Sequence, residues 1–315
     1  MVCIIIVHWE AFIMIAIFKQ VFILFTFALA GFFLSKKKLV NHSHTPLLSV
    51  FLVNIFLPCN IFRTFAVNFN RSYIKANYHI IITSVTVICI LAVAMHFFSR
   101  LFDKRDYQRR ICEYSLVVPN FGYMGYALAE SILGTTGLLN TMMFGFPVSF
   151  YTYTVGFCSL TKRELSFKKL LNPVIIAIIS GMAVGLSDIH LPQLFTEVLS
   201  KSASCMAPVS MLLTGIVVSE FDFKSLLKMK KVYVITILRL VVIPVTTGFL
   251  LSLFCSRIIV QTAVVLYAMP CGLNTIVFPR LVGEDCSIGA GLAFVSNILA
   301  CLTIPLVLRL FNIGI

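Results

Sequence analysis

The chain has 315 residues, of which 59% are hydrophobic and 12% charged, and its mean hydropathy is +1.00. Soluble globular domains run at about 45–50% apolar and about 25% charged, so this composition excludes one and indicates an all-α membrane protein that crosses the bilayer many times. The formal charge of +13 does not indicate a nucleic-acid partner, because the lysines and arginines fall in short clusters between apolar runs, where they orient membrane segments.

A hydrocarbon core about 30 Å thick takes about 20 helical residues. Ten segments of that kind follow one another at 13–34, 45–67, 78–99, 111–133, 137–159, 172–187, 198–218, 232–254, 260–281 and 287–310. The first is too long for a cleaved signal peptide and is followed by Lys36, Lys37 and Lys38 rather than a small-residue cleavage site, so it is expected to be retained. The stretch before it, Met1 to Glu10, is expected at the membrane interface.

The second segment carries Pro58, read as a hinge, a cavity-lining residue or a simple kink, with Asn54 as a candidate cavity residue. The fourth contains Pro119-Asn120-Phe121-Gly122-Tyr123-Met124-Gly125. Proline removes an amide donor and displaces a carbonyl, and the two glycines let the backbone unwind. In hydrocarbon, freed backbone groups are tolerated only where protein or a water-lined cavity satisfies them. Pro119 lies about eight residues into its segment, close to the midplane.

A short basic linker, 161–171, joins a first five-segment unit, 1–160, to a second, 172–315. In the second unit Pro208 answers Pro58, and Pro270-Cys271-Gly272-Leu273-Asn274 answers the break at Pro119, both at an offset of about 150 residues. Two proline pairs in register mark a transporter built from internal repeats. Between them, Arg239 lies deep in the eighth segment, a candidate contact for an anion or else a paired structural cation.

Sixteen lysines and arginines fall in the loops after odd-numbered segments and five in those after even-numbered ones. The positive-inside rule then puts the odd loops in the cytoplasm and both termini outside. Five segments per unit is an odd number, so the two units enter the membrane from opposite sides and the repeats are inverted.

Two broken helices at mid-membrane would aim half-helix N-termini, each worth about half a positive charge, at a common point where a carboxylate or phosphate fits. Asn120 and Asn274 add amide donors and acceptors there. The alternative for the breaks is a pair of packing kinks. The expected substrate site therefore comprises Pro119, Asn120, Gly122, Tyr123, Pro270, Gly272 and Asn274, with Asn54 and Arg239 as further candidates. Glu113, Glu130 and Glu220 lie away from the breaks, so a proton relay lacks its obvious carboxylate, while sodium could use the unwound carbonyls.

No GxSxG elbow, HExxH or P-loop occurs, the ten cysteines form no CxxC, and His42 with His44 makes too few ligands for a metal, so neither an enzyme nor a cofactor is expected beyond a coupling proton or sodium ion.

The residues Gly31 to Lys38, the run Pro119 to Gly125, Asn172-Pro173, and Pro270 with Asn274 followed by Val282-Gly283-Glu284-Asp285 resemble the auxin efflux carrier family of membrane permeases. Pro279-Arg280 departs from that family, which usually has a small and then a polar residue there. The resemblance runs over nearly the whole chain, and the short linker is similar to that of the compact bacterial forms. It implies ten helices in two inverted five-helix repeats, a scaffold and a transport domain, and fourth and ninth helices that cross at broken centres where substrate binds. Members move organic anions, auxin in plants and malate-type acids in bacteria, by an elevator-like motion.

The sequence thus points to a secondary transporter of a small organic anion in the plasma membrane. A non-transporting receptor-like protein and a channel of the same fold are the alternatives. The expected partners are that anion and the lipid bilayer, not nucleic acid, with a homodimer as the candidate assembly.

Overall fold

The computed structural model describes residues 2–40, 45–102, 105–162, 173–187, 189, 191–221 and 228–313. The expected linker from residue 163 onward, Asn172, His42 and His44 lie outside the described residues. Long runs of apolar residues with few glycines and prolines form helices throughout, and among the described residues no strand is present beyond a single isolated bridge.

The helices are α1 (Val2–Lys36), α2 (Thr45–Asn68), α3 (Arg71–Phe102), α4 (Asp106–Val117), α5 (121–133), α6 (135–161), α7 (Pro173–Leu186), α8 (Gln193–Ser219), α9 (Lys230–Ser252), α10 (Arg257–Tyr267), α11 (Asn274–Arg280) and α12 (Ser287–Leu310). Several run past the expected bounds: the third segment, expected at 78–99, is the middle of α3, and the first continues back through Met1 to Glu10 as regular helix from Val2. Gly134, at φ 68° and ψ −171°, separates α5 from α6. A side chain would be badly strained in that conformation, which glycine adopts freely.

Five helices, α2, α3, α8, α9 and α12, are long and apolar enough to cross a membrane, and shorter apolar stretches occupy Val21–Lys36, α7 and α10. Along α3 the side chains of Ile82, Ile90, Val93 and Phe97 are exposed. Such a continuous apolar face would be untenable in water and is ordinary in lipid.

Two prolines shape the helices locally. The ring of a helical proline collides with the carbonyl four residues earlier. For Pro58 that carbonyl belongs to Asn54 and for Pro244 to Leu240, and each falls inside a wider π-helical turn, Leu52–Phe56 or Leu238–Val242. The extra backbone room of a π turn relieves the collision. Pro208, by contrast, sits inside a continuous α8, so Pro58 and Pro208 do not shape their helices alike.

The helices sort into two bundles by their packing. In one, α1 lies along α8, α2 along α7, and α8 also against α2. In the other, α3 packs on α4 and α6, α10 on α6 and α9, and α12 on α9, α4 and α11. α5 and α11 stand where the second bundle meets the first: α5 touches α8, and the Arg280 side chain at the end of α11 pairs with Glu220 beyond the end of α8.

Candidate functional site

α4 stops at Val117, and Val118 is extended (φ −106°, ψ 111°). The residue before a proline is pushed out of the helical region, so Pro119 accounts for the stop. α10 ends at Tyr267, three residues before Pro270, with Ala268 still in the helical region (φ −73°, ψ −9°). The two unwound stretches pair: Pro119 and Cys271 form an antiparallel bridge, and the Asn120 amide donates to the Pro270 carbonyl at 2.7 Å. The Cys271 amide turns instead to Ser296 Oγ of α12, at 3.0 Å. α5 then begins with a π-helical turn, Phe121–Gly125, and α11 begins at Asn274.

Beside the pairing lies a cavity of about 40 Å³. The expected residues Pro119, Asn120, Gly122, Tyr123, Gly272 and Asn274 all line it. Pro270 does not line it but holds the crossover through its carbonyl. Asn120 is 3% exposed, and its Nδ2 has no hydrogen-bond partner. Buried amides are nearly always paired, so an orphan in a cavity wall is a donor awaiting an acceptor. Asn274 Nδ2 is engaged, donating to Tyr114 Oη at 3.2 Å.

Two expected residues stand apart. Asn54 is an exposed residue on α2 whose Nδ2 donates to the Val50 carbonyl at 2.9 Å, one helical turn back, and it does not line this cavity. Arg239 is fully buried but does not line the cavity; its guanidinium is taken up by three backbone carbonyls.

The walls also contain residues that sequence reasoning missed. Tyr114 comes from α4, Tyr126 from α5, and Ser149, Thr152 and Tyr153 from α6, with Leu57, Ile61 and Val174 closing the side toward the first bundle. With 29 phenylalanines and 10 tyrosines in the chain, no single ring stood out. The signal available was the spacing of Ser149, Thr152 and Tyr153, which puts hydroxyls on one face of a helix in an otherwise apolar run. No acidic or basic residue lines the cavity. A larger cavity of about 510 Å³ lies between α3 and α9, but its walls are aliphatic and aromatic apart from four threonines, with nothing ionisable to orient a polar ligand.

The arrangement offers an aromatic chamber with one unspent amide, a second amide held by a tyrosine, and the start of α5, whose first amide groups lack intrahelical acceptors. It can hold a small polar or anionic group; its lining includes no histidine, lysine or carboxylate beside the Ser149 and Thr152 hydroxyls, and no metal cluster occurs among the described residues.

No curated protein matches the chain. A family model described as Membrane transport protein matches residues 16–169 and again residues 162–308, together nearly the whole sequence. Members of that family are transporters, and the apolar helices agree with a multi-pass membrane protein. On this match the chain belongs to the auxin efflux carrier family of membrane transport proteins.

Proposed function

We propose that the chain is a secondary transporter of a small organic anion, a mono- or dicarboxylate of the malate type, working by alternating access around the crossed breaks. The carrying observation is the buried, unpartnered Asn120 Nδ2 in the wall of a cavity at the point where two interrupted helices pair. A membrane transporter needs a specific polar contact at mid-membrane, and half-helices supply it without a buried fixed charge.

In this reading α4 with α5, and α10 with α11, are the fourth and ninth of ten spans arranged as two inverted repeats. The first bundle is the scaffold and the second the moving part. The cavity of about 40 Å³ holds little more than a water, whereas pockets that bury organic ligands run to about 300 Å³ or more. Admitting an organic acid therefore requires α5 and α11 to draw away from α2 and α7, which is the relative motion that alternating access needs. The protein resides in the plasma membrane with its basic loops in the cytoplasm and both termini outside.

The test is uptake and counterflow of radiolabelled mono- and dicarboxylates in proteoliposomes, with and without proton and sodium gradients. Saturable, trans-stimulated flux of one acid supports the reading and identifies the coupling ion. Anion binding without flux replaces it with a receptor-like role, and flux that neither saturates nor shows counterflow replaces it with a channel.

A further inference from the structure

Arg239 lies in the π-helical turn of α9 and is 0% exposed. Its Nη1 donates to the Leu116 carbonyl at 2.9 Å, its Nη2 to the Tyr267 carbonyl at 3.2 Å, and its Nε to the Met269 carbonyl at 3.2 Å. The ring of Tyr267 lies 5.5 Å from the guanidinium carbon. Among the described residues no carboxylate forms a salt bridge with it.

Two of those carbonyls, Leu116 and Tyr267, have lost their helical donors at the breaks. In an unbroken helix the Leu116 carbonyl would take the amide of Asn120, and the Tyr267 carbonyl that of Cys271. Here the Asn120 amide is spent on Pro270 and the Cys271 amide on Ser296. The C-terminal ends of α4 and α10 therefore converge with orphan acceptors in a dry interior, and a single planar fork reaches both. The charges also balance: each helix C-terminus carries about half a negative charge, so two offset one guanidinium, which explains a buried arginine with no acid beside it.

We propose that Arg239 is the positioning residue of the crossover: one guanidinium caps both half-helix ends and fixes the register at which Asn120 and Asn274 share a cavity. It does not touch the substrate. By cancelling the two negative helix ends it leaves the positive start of α5 as the dominant field at the cavity. This role rests on the reading of that cavity as the transport site, yet the register itself can be measured without any substrate.

The measurement uses the full-length protein in membranes. Cysteines introduced as Asn120→Cys and Gly272→Cys, in a Cys271→Ser background, keep both prolines of the breaks, and a Cβ at residue 272 would stand 3.7 Å from the Asn120 Cα, within disulfide reach. Oxidation is followed by mass spectrometry of the crosslinked 120–272 peptides, with each single-cysteine variant as a control. A second pair, Ser35→Cys with Ser219→Cys, reports the first bundle, where the two hydroxyls lie 2.6 Å apart.

With Arg239 present the 120–272 crosslink is expected to form. It is expected to be lost in both Arg239→Gln and Arg239→Lys, since lysine keeps the charge but not the fork, while the 35–219 crosslink persists. Retention of the 120–272 crosslink in either variant overturns the positioning role, as does its absence when Arg239 is intact. Should Arg239→Gln fail to fold, shown by loss of both crosslinks, Arg239→Lys carries the test. Failure of the transport reading would appear separately, as absent flux in the wild-type protein with both crosslinks formed.

Discussion

Gly31 and Gly181 occupy matching places in two helix pairs. A side chain at Gly31 on α1 would overlap the carbonyl oxygen of Leu212 on α8, and one at Gly181 on α7 would come within 3.0 Å of the carbonyl oxygen of Phe62 on α2. Residue 181 follows 31, and residue 212 follows 62, by the same offset of about 150 that relates the two breaks. The glycine comes from the first unit in one seam and from the second unit in the other. A two-fold axis generates that exchange, so the glycine seams point to two related repeats independently of the prolines.

The two seams are not equally tight, which gives a graded prediction. Alanine is favoured over glycine in a helix by about 1 kcal/mol. At Gly181 the obstacles are the Phe65 Cβ and the Phe62 backbone at 2.9–3.2 Å from a new Cβ, so the helices must part by only a few tenths of an ångström, and Gly181→Ala is expected to cost about 1 kcal/mol or less. At Gly31 the Leu212 carbonyl oxygen would stand 2.1 Å away, so Gly31→Ala is expected to cost about 2–3 kcal/mol by overpacking. Thermal unfolding in detergent measures both, and equal melting temperatures would refute the ranking.

The two cavity asparagines should separate stability from transport. Asn120 Nδ2 bonds to nothing in the protein, so Asn120→Ala is expected to leave the melting temperature unchanged while cutting flux at least about tenfold, the worth of a hydrogen bond to a charged ligand. Asn274→Ala breaks the bond to Tyr114 Oη and is expected to lower stability by about 1 kcal/mol as well. Tyr114→Phe should share that loss of stability. Wild-type flux in both asparagine variants would remove these residues from the site.

What was legible in the sequence follows from the kind of signal each residue carries. Pro119 and Pro270 are read directly, because each stands beside a glycine and an asparagine and the combination recurs at one spacing, which Pro208, inside a continuous helix, lacks. Asn120 and Asn274 follow from standing beside them. Arg239 was visible as a buried cation, but its partners are backbone carbonyls that exist as free acceptors only once two distant breaks are brought together, and no side-chain pattern encodes that. Asn54 looked like a cavity residue from its neighbourhood to Pro58; the helical phase of α2 turns it outward. Tyr114, Tyr126 and Tyr153 are anonymous among many aromatic residues, and only the packing of α4, α5 and α6 selects them.

Asp285 sets a pH dependence. Its Oδ1 accepts from the Ser287 hydroxyl at 2.6 Å and the Ser287 amide at 2.9 Å, and its Oδ2 from Gln108 Nε2 at 3.3 Å. These bonds, the Ser287 hydroxyl foremost, hold its carboxyl below the usual carboxylate range. A folded-state pKa below the unfolded value of about 3.9 means the contribution is complete above that pH and is lost as the pH falls through the folded value. The residue is exposed, so solvent screening keeps the contribution below about 1 kcal/mol. Asp285→Asn is expected to lower the melting temperature by a constant amount from pH 7 to 5, the gap closing below about pH 4; a gap that widens on acidification would contradict the assignment.

Two ion pairs tie α5 and α11 to the first bundle. Arg63 of α2 donates from Nη2 to Glu130 of α5 at 3.0 Å and from Nη1 to Ser200 of α8 at 3.2 Å. Arg280 at the end of α11 pairs with Glu220 beyond the end of α8. Glu130 and Arg280 stand at the repeat offset of about 150, with their charges reversed. If α5 and α11 withdraw in turn, one pair must open in each half of the cycle. Both are partly exposed, so each contributes about 1 kcal/mol or less, enough to bias conformations without locking them. A cysteine at Ser149 on the cavity wall should then react faster with an impermeant maleimide from one face of the membrane in Glu130→Gln, and from the opposite face in Glu220→Gln. The exchanged pair, Arg63→Glu with Glu130→Arg, should restore the slow rate. Labelling that both single variants leave unchanged would show that these pairs do not restrain the motion.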